Sequence, residues 1–497
     1  VSFLGLDVGT TGCKVVAFRE GSAEQIASSY REYPLLSPHP GWGELNPNTV
    51  WDAVRECLQQ VASRLRHDPP QALGISSQGE ACVPISSGGE VLGNAAVSFD
   101  ARTLAYPDWW RARISDAEVM NITGQPMHTM YSAHKIRWWL DQHPDVFRRV
   151  WKFLCFEDFV QFRLGVPPTM SYPMACRTML FDRRMGAWSA RLLEVAELEP
   201  ALLSAVAPSG TPVGVIPKRV ADDLGLPLGV VVATGAHDQV ASAVGAGATS
   251  NGSSVNTTGT VECVTVAFQN EPDLERLRSS NLCLYHHGEP GLWCSLAFNF
   301  TGGVLFRWYR DQFGSFEMEA ARTGGRDAYD ALLEKAPAAP TRLLVLPHFT
   351  STGTPYFDAQ ARGAIVGLQL STTKPEVTKA VLEGITFELR LNLELLEASG
   401  IVVNELRAVG GAARSDLWMQ LKADLTGKTV VRLSTSETPS LGVARLAARS
   451  VGAQVEPARF VQTFEPRAAH ARVYDEQFMI YRDLYGALRG INHRLAR

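Results

Sequence analysis

Between two short apolar runs, Phe3 to Leu6 and Val15 to Phe18, stands the segment Asp7-Val-Gly-Thr-Thr-Gly-Cys-Lys14. Its residue types suit a turn that holds phosphate. Gly9 and Gly12 let the backbone approach an anion closely, while the hydroxyls of Thr10 and Thr11 and successive N–H groups can donate to phosphate oxygens. Asp7, at the end of the first run, can hold a hydrated Mg2+. The G-x-x-x-x-G-K-[ST] spacing of a P-loop is absent, so the expected frame is a β-hairpin; a glycine turn without a ligand would leave the same pattern. Lys14 is expected to be solvated, not a phosphate ligand.

The pattern returns at an offset of 250. Val255-Asn-Thr-Thr-Gly-Thr-Val-Glu-Cys-Val-Thr-Val266 aligns with Gly5 to Val16, pairing Gly9-Thr10 with Gly259-Thr260 and Cys13 with Cys263. Two such turns predict two related domains facing one cleft. Gly245 to Ser254, rich in glycine, alanine and serine, reads as a helix end and a connection, which divides the chain into 1–247 and 248–497. A helix-like segment from Asn48 to Arg66 and strand-like runs at Ala72 to Ser76 and Cys82 to Ile85 argue for α/β layers. The alanine- and proline-containing stretch Lys335 to Thr341 reads as a surface loop.

With 497 residues the chain is too long for one ordinary core. Its 45% hydrophobic and 20% charged composition is that of a globular protein, and a net charge of −4 offers no basic footprint for nucleic acid. The eight cysteines are scattered, without a C-x-x-C pair, and are expected to be reduced and buried. No apolar run reaches the roughly 18 residues that span a bilayer, and no leader precedes the first strand, so a cytoplasmic protein with no membrane partner is expected.

In order along nearly the whole chain, several segments resemble the FGGY family of carbohydrate kinases. The opening Phe3-Leu-Gly-Leu-Asp-Val-Gly-Thr-Thr11 is similar to the family's first phosphate loop, and Gly41-Trp-Gly-Glu-Leu-Asn-Pro47 to its early Gly-Trp-x-Glu-x-x-Pro segment. Ser132-Ala-His-Lys-Ile-Arg-Trp138 resembles the first family signature, with Trp139 at a position where a smaller residue or Phe is usual. Arg362 to Leu368, followed by Glu376-Val377 and Ala380 to Glu383, resembles the second. Gly235-Ala-His-Asp-Gln239 is similar to the segment that carries the catalytic aspartate, and Val409-Gly-Gly-Ala-Ala-Arg-Ser415 to the adenosine-binding turn.

The resemblance implies an α/β fold of two ribonuclease-H-like domains of the actin and hexokinase type, ATP and Mg2+ as cofactors, a sugar or polyol substrate and a homodimer. It makes Asp238 the general base, with the dipole of the helix that starts there keeping its carboxylate ionised; a capping aspartate is the alternative. Asp7 becomes the metal residue. Gly9, Thr10, Thr11, Gly259 and Thr260 are expected to face phosphate, and Gly410, Gly411 and Ser415 to bind the nucleoside, although Ser415 could equally cap the following helix. Gln78, Glu80, Asp238 and Gln239 are the expected substrate residues.

The chain departs from glycerol kinases at Gly79, Ser98 and Met130, has Gln78-Gly-Glu-Ala81 in place of the Gln-Met-His-Gly of xylulokinases, and lacks Glu-Arg at Thr352-Gly353; the expected substrate is a longer ketose or polyol, first a xylulose-like ketopentose. Glu80 could instead be salt-bridged, Asp100 and Arg102 could form a structural pair, and Trp138, Trp139 and Trp151 are expected in the core. His237, without companions at metal-ligand spacing, is expected to be structural. An inactive regulator of the same fold and an actin-like ATPase are the alternatives to a kinase.

Overall fold

The computed structural model describes residues 1–325 and 327–496. Two large sheets organise it. The first is built from β1 (Ser2–Val8), β2 (Gly12–Arg19), β3 (Gln25–Glu32), β4 (Pro70–Ser77), β5 (Pro212–Val215) and β6 (Val231–His237), in the spatial order β5-β6-β4-β1-β2-β3. β1 to β3 run antiparallel, whereas β1, β4 and β6 are parallel neighbours. Almost every residue of β1 and β4 is buried, as expected for central strands covered on both faces.

The second sheet comprises β7 (Ser254–Thr258), β8 (Glu262–Phe268), β9 (Tyr285–His286), β10 (Trp293–Asn299), β11 (Glu405–Val409), β12 (Thr429–Leu433) and β13 (Phe460–Phe464), ordered β9-β10-β8-β7-β11-β12-β13. Here too an antiparallel hairpin, β7 and β8, is followed by parallel neighbours β11 and β12. The twelve-residue repeat therefore falls on equivalent hairpins, and their turns project at equivalent ends of the two sheets.

Helix α1 (Pro47–Ser63) starts where Asn46 accepts from the N–H groups of Asn48 and Thr49 and Pro47 occupies the first turn. It buries Val50, Val54, Leu58 and Val61 beneath the first sheet. Helix α2 (Ser132–Gln142) carries the first signature, and α3 (Asp238–Gly245) follows β6 directly. In the second half, α4 (Asp416–Thr426) follows the Gly410-Gly411 turn, and α5 (Thr438–Ser450) packs against the first half.

That last contact is unusually close. A Cβ at Gly442 of α5 would lie 1.9 Å from the Ala241 carbonyl of α3, and one at Gly245 would lie 2.0 Å from that of Thr438. The same helix presses on the sheet, since a Cβ at Gly5 of β1 would meet the Ser440 carbonyl at 1.8 Å and one at Gly74 of β4 the Val443 carbonyl at 2.2 Å. Ser242 and Thr438 hydroxyls share a hydrogen bond of 2.8 Å at the crossing. Around it Phe3, Val16 and Phe18 form one apolar cluster with Val409, Leu441 and Ala444, so a core runs continuously from one half into the other.

Trp138 is buried as expected and Trp139 is half-buried, but Trp151 is 38% exposed. It stands at an outward position of the edge strand Val150–Cys155, with Lys152 over its ring at 5.3 Å. All eight cysteines are buried free thiols, and no described helix is long and apolar enough to cross a membrane. Gly442→Ala is expected to wedge α5 from α3 at an overpacking cost of about 1 to 3 kcal/mol, read as a fall in the urea midpoint; an unchanged midpoint would show that the crossing can relax.

Candidate active site

β1 delivers Asp7 to the rim of its sheet, where its register partners are Lys14 on β2 and Ser76 on β4. The Ser76 hydroxyl donates to Asp7 Oδ1 at 2.8 Å. Burial nevertheless pushes the Asp7 carboxyl up to about 6, with the nearby Glu437 carboxylate adding to the rise while Ser76 and Lys14 oppose it. Lys14 is not free in solvent: its Nζ lies 2.6 Å from Glu437 Oε1, an ion pair between the halves. Glu437 is distant in the chain and reaches Lys14 only through the seat of α5, so no local pattern reveals the pair.

The turn itself is tightly braced. Gly9 N–H donates to the Gly12 carbonyl at 2.9 Å, and the Tyr33 hydroxyl donates to the Gly9 carbonyl at 2.5 Å. Thr10 Oγ1 donates to Gln78 Oε1 at 2.9 Å, and Gln78 Nε2 donates to the Gly9 carbonyl at 3.3 Å. Thus both ends of the Gln78 amide, expected to meet a sugar, are turned toward the phosphate-type turn. Thr11 remains exposed at its tip.

Asp238 opens α3 as its first helical residue, and the capping position before it belongs to His237. The helix dipole does not decide its protonation. Burial, then the carboxylates of Asp7 and Glu80, push its carboxyl up to about 7, against weaker help from the Gln239 N–H and Arg177. Asp238 Oδ1 has no hydrogen-bond partner, and neither does the buried Gln239 Oε1 beside it. His237, expected to be merely structural, lies with Nε2 3.1 Å from Asp238 Oδ1.

Glu80 is 3% exposed and salt-bridged, the alternative left open by the sequence: Arg177 Nε donates to its Oε1 at 2.6 Å. Arg177 also donates to Gln125 Oε1 at 3.0 Å and contacts Met130 Sδ at 3.2 Å, so Met130 packs against this guanidinium. Glu80 has a φ of 66°, a left-handed conformation rare outside glycine, and its carbonyl accepts from Ser132 Oγ at 2.9 Å and Lys135 Nζ at 3.2 Å. The first signature thus fixes the backbone that aims Glu80. Nearby, Asp100, Arg102 and Glu44 form a buried ion network, with the Arg102 guanidinium 4.0 Å from the Trp42 ring.

In the second half a cleft of about 510 Å³ is edged by Gly259, Thr260, Gly411 and Ser415, with Phe306, Tyr329 and Trp418 as its aromatic walls. Gly410 lies beneath it with φ 92°, and a Cβ there would be 2.5 Å from the Thr258 carbonyl, so glycine is what lets this turn meet the β7–β8 hairpin. Ser415 both borders the cleft and caps α4, accepting from Trp418 N–H at 3.3 Å. Sequence reasoning missed Lys422, buried on α4, whose Nζ donates to Asn256 Oδ1 and Thr258 Oγ1, each at 2.5 Å, and pairs with Glu262 at 2.7 Å. It also missed Arg177, which belongs to no motif.

The donor sets fit an ATP·Mg2+ complex. The cleft has the size and aromatic lining of a nucleoside site and leads to backbone turns suited to phosphate. Among the described residues no group of three His, Cys, Asp or Glu side chains is arranged to hold a metal, while Asp7 is a partly buried carboxylate whose proton is held by desolvation against the pull of Ser76 and Lys14. That suits Mg2+ held through water and phosphate oxygens with one carboxylate.

Asp7 and Asp238 both hold their protons more tightly when folded than at the ordinary value of 3.8, so the stability they contribute falls as pH rises from about 4 through about 7. Asp238→Asn is therefore expected to have a higher urea midpoint than the parent at pH 8, with the difference shrinking toward pH 5. A difference independent of pH would contradict this electrostatic account.

The model of the FGGY family of carbohydrate kinases, N-terminal domain, matches residues 2–245, and that of the C-terminal domain matches residues 254–451. A xylulose kinase from Staphylococcus epidermidis is 26% identical over 97% of this chain and 96% of its own. A glycerol kinase from Saccharolobus islandicus is 30% identical over 90% of this chain and 88% of its own. The crystal structure of xylulose kinase from Rhodospirillum rubrum superposes with a TM-score of 0.88 at 26% identity, covering 99% of this chain and all of that one. The paired hairpins, the cleft and both family models agree, and the chain belongs to the FGGY family of carbohydrate kinases, enzymes of the actin and hexokinase-like fold that phosphorylate carbohydrates with ATP and Mg2+.

Proposed function

We propose that the chain transfers the terminal phosphoryl group of ATP to a hydroxyl of a ketose or polyol, a xylulose-like ketopentose first, with Asp238 as the base. The observation that carries this reading is the unpartnered Oδ1 of Asp238, on the first turn of α3 and close to both Asp7 and the Glu80–Arg177 pair. Similarity to xylulose kinases over almost the full chain supports the sugar class.

In this reading residues 1–247 hold the acceptor and the first phosphate turn, and residues 248–497 hold the nucleoside. Ionised Asp238 accepts the proton of the acceptor hydroxyl, and its raised pKa makes it a stronger acceptor near neutrality than an ordinary aspartate. Gln239 and Glu80 take neighbouring hydroxyls, Glu80 with its carboxylate aimed by Arg177, while Gln78 links the acceptor side to the turn at Gly9 and Thr10. The N–H groups and hydroxyls of Gly9 to Thr11 and of Gly259 and Thr260 face the phosphates from opposite halves, and Gly410, Gly411 and Ser415 shape the nucleoside end. Asp7 is the residue that holds Mg2+, which when bound neutralises charge on the phosphate oxygens. Packing of the halves keeps water from competing with the acceptor. Free buried thiols support a reducing, cytoplasmic setting, and the homodimer expected from the family is to be checked by sedimentation.

The test is ADP release across a panel of ketoses, polyols and aldonates. One or more ketoses should stimulate turnover; ATP turnover indifferent to every sugar would overturn the acceptor, and nucleotide binding without turnover would favour an inactive regulator. Asp238→Asn should lower kcat by about 10²-fold or more with nucleotide binding retained. Because the base must be ionised, kcat/KM should rise with pH through about 7 and then level, and a profile flat from pH 5.5 to 8 would remove Asp238 from the role. Asp7→Ala should demand more Mg2+ for half-maximal rate, and an unchanged Mg2+ dependence would place the metal elsewhere.

A further inference from the structure

Resting on the assignment of Asp238 as base, we propose that His237 and Tyr285 form a positioning pair that orients its carboxylate, with the tyrosine supplied by the opposite half of the molecule. His237 ends β6 and Tyr285 lies on β9 of the second sheet, so the two meet only because the halves are packed together. The Tyr285 hydroxyl is 3.3 Å from His237 Nδ1, and the other ring nitrogen, Nε2, is 3.1 Å from Asp238 Oδ1. Both side chains are buried.

The tautomer follows from which groups keep their protons. Burial and the positive charge of Arg177 hold the imidazole well below its usual range, so it is neutral and carries one N–H. Burial pushes Tyr285 well up, so its hydroxyl keeps its proton and can donate to Nδ1. The single imidazole N–H then resides on Nε2 and faces the carboxylate. At 3.1 Å this contact is close but not aligned as a hydrogen bond, since Asp238 Oδ1 has no partner; a small rotation on acceptor binding would align it, as catalytic hydrogen bonds commonly tighten in the substrate complex.

Room for the ring comes from Gly79. A Cβ there would lie 3.1 Å from His237 Cδ2 and 3.2 Å from Nε2, so a side chain at 79 would press on the imidazole and force it to give by a few tenths of an ångström. The glycine that sets this chain apart from glycerol kinases is thereby matched to the histidine beside the base. Orientation of Asp238 then depends on the seat of the second half, which links assembly of the interface to readiness for proton transfer.

The test is a double-mutant cycle on full-length enzyme with the best sugar of the panel, reading kcat and both KM values. Tyr285→Phe and His237→Ala should each lower kcat by about 2- to 10-fold, the worth of one hydrogen bond, with KM for ATP unchanged. The double variant should be no slower than His237→Ala, because the hydroxyl acts only through the ring. His237→Gln, which retains an N–H at similar reach, should recover part of the loss and covers the case in which His237→Ala does not fold. A wild-type kcat in Tyr285→Phe, or losses that multiply in the double variant, would overturn the pair. Asp238→Asn separates the two readings: if it is inactive while Tyr285→Phe and His237→Ala run at full rate, the pair alone fails, and if it remains active, the base assignment fails as well.

Discussion

How the two halves meet at the candidate site depends on how closely α5 of the second half can approach the first. Backbone carbonyls of Ser440 and Val443 lie against Gly5 and Gly74, and Gly442 and Gly245 let α5 and α3 cross nearly backbone to backbone. Dispersion and apolar burial reward such an approach only where no Cβ intervenes. Because α3 begins at Asp238 and α5 follows Glu437, this crossing sets the position of the candidate base relative to the second half. It also brings Glu437 to Lys14, so an ion pair between the halves closes beside Asp7.

Electrostatics at this junction leaves two partly buried acids without a cationic hydrogen-bond partner. Asp7 has a serine hydroxyl, and Asp238 has an unaligned imidazole and a free oxygen. Both carboxyls are raised first by burial, Asp7 further by Glu437 and Asp238 further by Asp7 and Glu80, and the Arg177 guanidinium near Asp238 is engaged by Glu80. The charge of Asp238 extends to the second half, where burial and then that carboxylate raise the Cys263 thiol on β8. Such an arrangement costs stability and suits a place where a cation and a transferable proton belong.

The two phosphate-type turns are braced by different means. The first is held by neutral hydrogen bonds from Tyr33, Thr10 and Gln78. The second is held by a buried ammonium, Lys422, which ties Asn256, Thr258 and Glu262 to α4. Since α4 also carries Ser415 as its cap and Trp418 in the cleft wall, a single helix joins the cleft to the β7–β8 turn. All three contacts of the ammonium are strengthened by the low local dielectric, while Glu262 Oε2 is left without a partner.

Local rules written in the chain were enough for the elements. Apolar runs marked β1, β2 and β4, the helix-like segment from Asn48 marked α1, and the Gly-Thr repeat marked the equivalent hairpins, because each depends on spacing within a few residues. Motif order likewise gave the family, and with it the grouping of Gly259, Thr260, Gly411 and Ser415 that the cleft displays. What sequence could not supply were partners remote in the chain: Arg177 for Glu80, Glu437 for Lys14, and Tyr285 for His237. Nor could it settle protonation, since the dipole expected to ionise Asp238 is a local term and is outweighed by desolvation that exists only after packing. Sequence alone determined which groups are present and on what local element each sits; only the tertiary structure decided their neighbours and charge states, because burial and long-range contact are properties of the assembled core and not of any segment of it.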